Sequence, residues 1–249
     1  MKKFISAILV IMLLSVSTSA MSPFEKRGHV VVLTYHLLSE NPAEWSEYCI
    51  SPSAFEQDLI YIKNQGYEFV TASQLAGQDI SGRKIAVLTF DDGYSSDLRY
   101  AVPLLEKYGA CATFFVFGGG VNTAGYLSEA DLKSLSEKPC AEIGNHSYRL
   151  HSLSMSTLSI MYRGGRNNAD ILADYEKNDS FLESITGKEP TALSYPNGVY
   201  TQYIDSTLKK AGKLVTFSTD EVSYRGIEKT TAVGRKNRGC FADIKKLLK

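Results

Sequence analysis

The chain has 249 residues, enough for one large domain with an ample core. Its hydrophobic content of 44% and charged content of 22% are ordinary for a soluble globular protein. Lys and Arg balance Asp and Glu at 27 each, which excludes a general electrostatic affinity for nucleic acid or anionic membrane.

Met1-Lys2-Lys3 is a basic start, Phe4 to Val16 is almost wholly apolar, and Ser17-Thr18-Ser19-Ala20 are small. This three-part layout predicts a secretory signal peptide over residues 1–20, the apolar run being short for a membrane span. An uncleaved N-terminal anchor is the alternative. Either reading puts the folded part outside the cytoplasm, secreted or at the cell surface. Residues 21–28 read as a polar connector and 29–249 as one domain.

The β-branched run His29–His36 predicts a first strand. Ser53-Ala54-Phe55-Glu56 has capping-box spacing, and the helix it opens stops near Gly66. Phe69-Val70 reads as a short strand, and Thr71-Ala72-Ser73-Gln74 as a second capping box ended by Gly77. Ile85–Phe90 predicts a buried strand that closes on Asp91-Asp92-Gly93. Pro103–Tyr108 is a helix entered through proline and closed by Gly109. Cys111–Phe117 is the next strand, followed by a loop of three glycines. Ser128 starts a helix carrying Leu132 and Leu135, and Ala141–Gly144 is a strand running into Asn145-His146. Helical patterns cover much of Ser152–Tyr162 and Asp170–Ile185. Ala192–Tyr195 is a strand, Gln202–Ala211 a helix and Leu214–Phe217 a strand.

Strands and helices thus alternate along the chain, which predicts βα units on a parallel sheet. The pattern by itself admits both a closed α/β barrel and an open doubly wound sheet. Cys49, Cys111, Cys140 and Cys240 are irregularly spaced without a Cys-x-x-Cys, which argues against a cysteine zinc site or redox motif. Their pairing, if any, is not legible in the sequence.

Asp91 and Asp92 fall at the carboxyl end of a buried strand, where α/β proteins place chemistry. Successive strand side chains point to opposite faces. The two carboxylates therefore share a site only if the strand breaks there, and Gly93 supplies that freedom. The alternative is a simple Asp-Asp-Gly turn. Only four histidines occur, and two of them, His146 and His151, follow the end of another predicted strand. Two imidazoles and a carboxylate make an open site for a divalent metal; two surface histidines are the bland reading.

Thr89-Phe90-Asp91-Asp92-Gly93 and His146-Ser147-x-x-x-His151 together resemble the first two signatures of the NodB-type polysaccharide deacetylases. Ser194-Tyr195-Pro196-Asn197-Gly198 is similar to the third, and the histidine spacing resembles that of deacetylases acting on β-1,6-linked poly-N-acetylglucosamine. The resemblance implies a single-domain, distorted (β/α) barrel of the polysaccharide deacetylase type. It implies that Asp92, His146 and His151 hold a divalent metal, zinc first, with iron, cobalt or nickel also compatible. Asp91 would be the general base for the attacking water, and the Asn197 amide, with Tyr195 and Pro196 beside it, would serve the oxyanion.

The chain departs from the family pattern in lacking the arginine of the third signature and in having Asn197 where tyrosine is usual. It also lacks a late histidine. Tyr35-His36 resembles the pair that supplies the acid in the β-1,6 subgroup, so His36 is the expected general acid. Arg235 is a candidate to orient Asp91, and His29 an ordinary surface residue. The expectation is a metal-dependent enzyme that removes N-acetyl groups from an N-acetylated polysaccharide, with no nucleic acid and no stable protein partner. Peptidoglycan, chitin, or a non-catalytic carbohydrate-binding role on the same fold are the alternatives.

Overall fold

A computed structural model describes residues 28–219 and 232–249. The apolar leader and most of the connector lie outside the described residues, so the signal-peptide expectation has no structural counterpart here. In chain order the strands and helices are β1 (His29–Tyr35), β2 (Leu37–Leu38), β3 (Cys49–Ile50), α1 (Pro52–Asn64), β4 (Glu68–Val70) and α2 (Ala72–Ala76). Then follow β5 (Lys84–Asp92), α3 (Val102–Tyr108), β6 (Ala112–Val116), α4 (Glu129–Ser136), β7 (Ala141–Asn145) and α5 (Met155–Tyr162). The last are α6 (Asn168–Thr186), β8 (Ala192–Ser194), α7 (Gln202–Lys210), β9 (Val215–Phe217), β10 (Lys236–Asn237) and α8 (Ile244–Leu247).

Eight strands form one sheet in the order β10-β1-β5-β6-β7-β8-β9, with β4 added beside the first half of β5. Every pairing in it is parallel. Val233 bridges to Phe217 after β9, and Lys236–Asn237 pair with Leu33–Thr34 of β1. The segment 233–237 therefore spans the gap between the two ends of the sheet, curling it into a distorted (β/α) barrel. That settles the alternative the pattern left open.

Strand alternation decides what goes inside. Val30 and Val32 of β1, Ile85 and Val87 of β5, Phe115, Ala192 and Phe217 form one apolar cluster. Val31, Leu33, Tyr35, Ala86, Leu88 and Phe90, the alternate residues, pack into a larger cluster with Phe55, Leu59 and Ile62 of α1 and Leu105 of α3. Following the first set along each strand leads past Thr34 to His36 and past Thr89 to Asp91. The core periodicity itself thus delivers these two side chains to one end of the barrel.

Three local details differ from expectation. Helix α1 starts two residues early: Ser51 is the N-cap, its hydroxyl accepting from the Ala54 amide, because Pro52 is pre-set for the first helical position. Before α3 the backbone makes a wide turn over Asp97–Ala101, in which the Val102 amide bonds back five residues to Asp97. Pro103 has no N–H for a regular ladder, which a wider turn accommodates. The short β2, β3, β10 and α8 are too brief to leave a periodic signal.

Candidate active site

At the carboxyl ends of the strands lies a cavity of about 460 Å³, lined among others by Thr34, His36, Tyr48, Asp91, Asp92, His146, His151, Asn197 and Arg235. Strand β5 keeps its pairing to the end, Asp91 facing Phe115 and Asp92 facing Val116 in register. The break expected at Gly93 begins one residue sooner, since Asp92 itself has φ 79° and Gly93 φ 78°. A left-handed residue at the strand end reverses the alternation, so Asp92 turns to the same side as Asp91. That conformation is costly for a non-glycine residue and is held by the surrounding contacts.

Asp92 Oδ1 lies 2.8 Å from His151 Nε2 and 3.3 Å from His146 Nε2. One donor atom from each of the three residues falls within a 4.8 Å cluster. His146 Nδ1 sits 2.8 Å from the Ser194 carbonyl, which can only accept, so Nδ1 carries the proton. An uncharged His146 then presents a lone pair at Nε2 towards the Asp92 oxygen. Two acceptors face each other there unless a proton or a cation lies between them. The donor set, two imidazoles and one carboxylate with the imidazole anchored by a carbonyl, fits a divalent metal such as zinc.

The loop that carries the histidines is held from behind. Asn145, fully buried, donates from Nδ2 to the Tyr175 carbonyl and Asp179 and accepts the Ser147 amide at 2.7 Å. Ser147 takes φ 71°, its hydroxyl accepts the His151 amide, and the Asp174 carboxylate accepts the amides of Tyr148 and Arg149. Gly144 lies inward two residues before His146, and a Cβ there would stand 2.4 Å from the Phe115 ring. Glycine is what lets β7 approach β6 closely enough to deliver His146.

Asp91 has a different environment. Arg235 donates Nη1 to Oδ1 and Nη2 to Oδ2, both at 2.7 Å, and also donates to Ser194 Oγ and Thr89 Oγ1. Ser194 Oγ in turn donates to Asp91 at 3.1 Å. The guanidinium is 2% exposed and rests on the Phe115 and Phe217 rings. Burial works against the Asp91 charge, but Arg235 and then His146 outweigh it, and its pKa lies below the ordinary carboxylate value. Burial likewise opposes the Asp92 charge, and the bonds from His146 and His151 hold that carboxyl well below the usual range. For His146 burial disfavours the imidazolium, yet Asp91 and Asp92 more than offset it and the pKa is raised.

His36 stands one residue beyond the register pair Tyr35↔Phe90, opposite Asp91. Its Nδ1 is buried without a hydrogen-bond partner among the described residues, and Tyr48 packs edge-on against the ring at 5.0 Å. Burial lowers its pKa, and Asp91 and Asp92 reverse only part of that. His29 stands at the opposite end of β1, bonded to Tyr67, away from the cavity.

The structure brings together Asp91, Asp92, His146, His151, His36 and Asn197, the last with φ 53° in the turn after β8. Two expected members do not join them as side chains. The Tyr195 phenol is fully buried and donates to Asp205 at 3.0 Å, since Leu193 and Tyr195 alternate outward while Ala192 and Ser194 face in. Tyr195 touches the cavity but its ring belongs to the core. Pro196 is buried and not among the cavity residues; it shapes the turn before Asn197. Ser194 opens the third signature without an expected role, and inward alternation from Ala192 is the signal that marks it as a partner of Asp91. Tyr48, Tyr94 and Met155, which line the mouth, lie in segments with no motif.

A strand-end carboxylate pair, a two-histidine loop and a parallel barrel are the features of one class, and a polysaccharide deacetylase family model matches residues 78–215. The chain belongs to that family. A putative polysaccharide deacetylase, YxkH, of Bacillus subtilis is 28% identical over 200 residues, covering 79% of this chain and 65% of the relative. A poly-beta-1,6-N-acetyl-D-glucosamine N-deacetylase of Staphylococcus aureus is 26% identical over 186 residues, covering 72% of this chain and 63% of its own. The chain thus spans less than two thirds of the length of these curated relatives. Among solved structures, IcaB from Ammonifex degensii is 28% identical with a TM-score of 0.73, covering 84% of this chain and 91% of that one.

Proposed function

We propose that this chain is an extracytoplasmic, metal-dependent hydrolase that removes N-acetyl groups from an N-acetylglucosamine polymer, with β-1,6-linked polymer as the preferred substrate. The observation that carries the reading is the convergence, in one cavity, of Asp92, His146 and His151 with an Asp91 carboxylate clamped by Arg235. The name of the Staphylococcus aureus relative and the x4 histidine spacing support the linkage.

Asp92, His146 and His151 would hold the metal, zinc being the ion best suited to this donor set. A divalent ion there supplies a Lewis acid that acidifies water and polarises the acetamide carbonyl. Asp91 takes the proton from the attacking water. Its pairing with Arg235 keeps it ionised and fixes its plane, and a weak base suffices for an acidified water. Asn197, in the turn after β8, would offer its backbone N–H to the oxyanion. His36, across β1 from Asp91, delivers a proton to the leaving amine. Burial lowers its pKa, which makes the His36 imidazolium a stronger acid than an ordinary histidine.

The test is acetate release from poly-β-1,6-N-acetylglucosamine, chitin oligomers and peptidoglycan, with and without a chelator. Release that is highest on the first polymer and abolished by chelation is expected. Activity that survives complete metal removal contradicts the metal assignment. Glycan binding with no acetate released in the presence of any divalent metal contradicts the enzymatic reading.

A further inference from the structure

The site uses none of the four cysteines, all of which are free thiols in the structure. Two of them meet at one point. Ser46 and Cys49 close a tight turn before α1, with the Cys49 amide donating to the Ser46 carbonyl at 3.3 Å. The Cys240 amide donates to that same carbonyl at 2.8 Å. Two amides on one oxygen hold the backbones of Cys49 and Cys240 together, although the residues come from opposite ends of the folded chain. The neighbours repeat the contact. Asn237 Nδ2 donates to the Glu47 carbonyl at 2.7 Å, and a Cβ on Gly239 would stand 2.3 Å from the Glu47 oxygen. Residue 239 must be glycine for the two backbones to lie this close.

We propose that Cys49 and Cys240 form a disulfide that staples the segment carrying Arg235 to the turn carrying Tyr48. A disulfide links Cα atoms about 4.4–6.8 Å apart, a span that backbones sharing one acceptor can meet. Cys49 is 3% exposed and Cys240 is partly buried, so an added reductant would reach the link through the Cys240 side. Burial, Glu44 and then Cys240 raise the Cys49 thiol pKa.

The bond forms by exchange with an external disulfide, small-molecule or protein. The Cys240 thiolate attacks one sulfur of the external disulfide and expels the other as a thiolate. The Cys49 thiolate then attacks the mixed disulfide at the Cys240 sulfur and expels the second. Two thiols of the protein are oxidised, one external disulfide is reduced to two thiols, and the two protons leave with them.

The other two cysteines differ in geometry. Cys111 and Cys140 each stand one residue before the register pair Ala112↔Ala141 of adjacent parallel strands. Neighbouring strands run about 4.8 Å apart, so Cys111 and Cys140 are the competing pair that the peptide map must distinguish from Cys49 and Cys240.

The staple would close nearly the whole folded chain into one loop, and long loops gain most from closure. It would also anchor the strap that enters the barrel at Val233, presents Arg235 to Asp91 and pairs with β1. The proposal is independent of the enzymatic reading, because its readouts are covalent and thermal.

The experiment equilibrates the purified protein in a glutathione redox buffer, quenches it with acid, alkylates it in denaturant and maps the peptides. A linked peptide joining Cys49 to Cys240, with Cys111 and Cys140 alkylated, is the expected result. C49S, C240S and dithiothreitol should each lower Tm on the order of 5–10 °C, with the C49S/C240S pair no worse than either single variant. C111S should keep the response to dithiothreitol. Alkylation of all four cysteines in a buffer that oxidises dithiothreitol, or a link between Cys111 and Cys140 instead, overturns the assignment.

Discussion

The two walls of the cavity are built in different ways. On one side Asp92, His146 and His151 come from the ends of two strands and lie inside two compact sequence motifs. On the other, Asp91 is held by Ser194 of β8 and by Arg235 of the segment before β10, whose guanidinium also donates to Thr89 of β5. The first wall needs a local backbone reversal at Asp92 and a propped loop after β7. The second needs the barrel to close, because Arg235 reaches Asp91 only when the strap from Val233 crosses the gap between β9 and β1. A ligand set can thus be compact in sequence while the group that tunes the base is remote from it.

Separating the walls by mutation should therefore separate metal binding from turnover. Asp91→Asn should keep its metal while lowering kcat by about 10²–10⁴-fold, the usual size of a general-base contribution. Metal analysis beside acetate release checks both halves of that statement.

Arg235→Gln should lower kcat/KM by about 10–100-fold through misplacement of Asp91. It should also cost about 3–5 kcal/mol of stability, because a buried carboxylate is left unpaired. Removing the cation raises the Asp91 pKa, so the acidic limb of the pH–rate profile should move to higher pH. Arg235→Lys should not restore the profile, since an ammonium cannot make the two-pronged bond.

Asp97 tests the space behind the two carboxylates. It is fully buried, neither oxygen has a hydrogen-bond partner of ordinary geometry, and burial followed by the Asp92 and Asp91 charges raises its pKa well above normal. The folded state then holds a proton that the unfolded chain releases near pH 4. Stability from this group is complete below that pH and falls as pH rises through the folded pKa. Asp97→Asn should therefore stabilise the protein by about 1–3 kcal/mol at neutral pH, with a gain that shrinks on acidification. Denaturant unfolding at several pH values measures it.

The smallest effect belongs to Tyr195→Phe. Losing the bond to Asp205 should cost about 1 kcal/mol of stability and leave acetate release unchanged, as fits a ring in the core.

The succession of helices and strands along the chain was legible wherever runs were long enough to be periodic, and the order of strands within the sheet was not. β1, β5, β6 and β7 were read to within a residue or two. The two-residue strands and the closure by Val233–Asn237 were not, because pairing of so short a segment is decided by tertiary contacts alone. Asp91, Asp92, His146 and His151 were readable as motifs, and His36 through the pair with Tyr35. Tyr195 touches the cavity, but the same parity that turns Ser194 inward sends its ring into the core, a placement that motif membership alone does not show. Arg235 was noticed, but its two-pronged hold on Asp91 depends on a contact across 144 positions.

The central claim is that Asp92, His146 and His151 form the metal site on which catalysis depends. Metal content and acetate release, measured together on the wild-type protein and on His151→Ala after dialysis against limiting zinc, test it most directly. One zinc per chain with activity in the wild type, and loss of both in His151→Ala, is the predicted result. Full zinc occupancy in His151→Ala, or wild-type activity without metal, would contradict it.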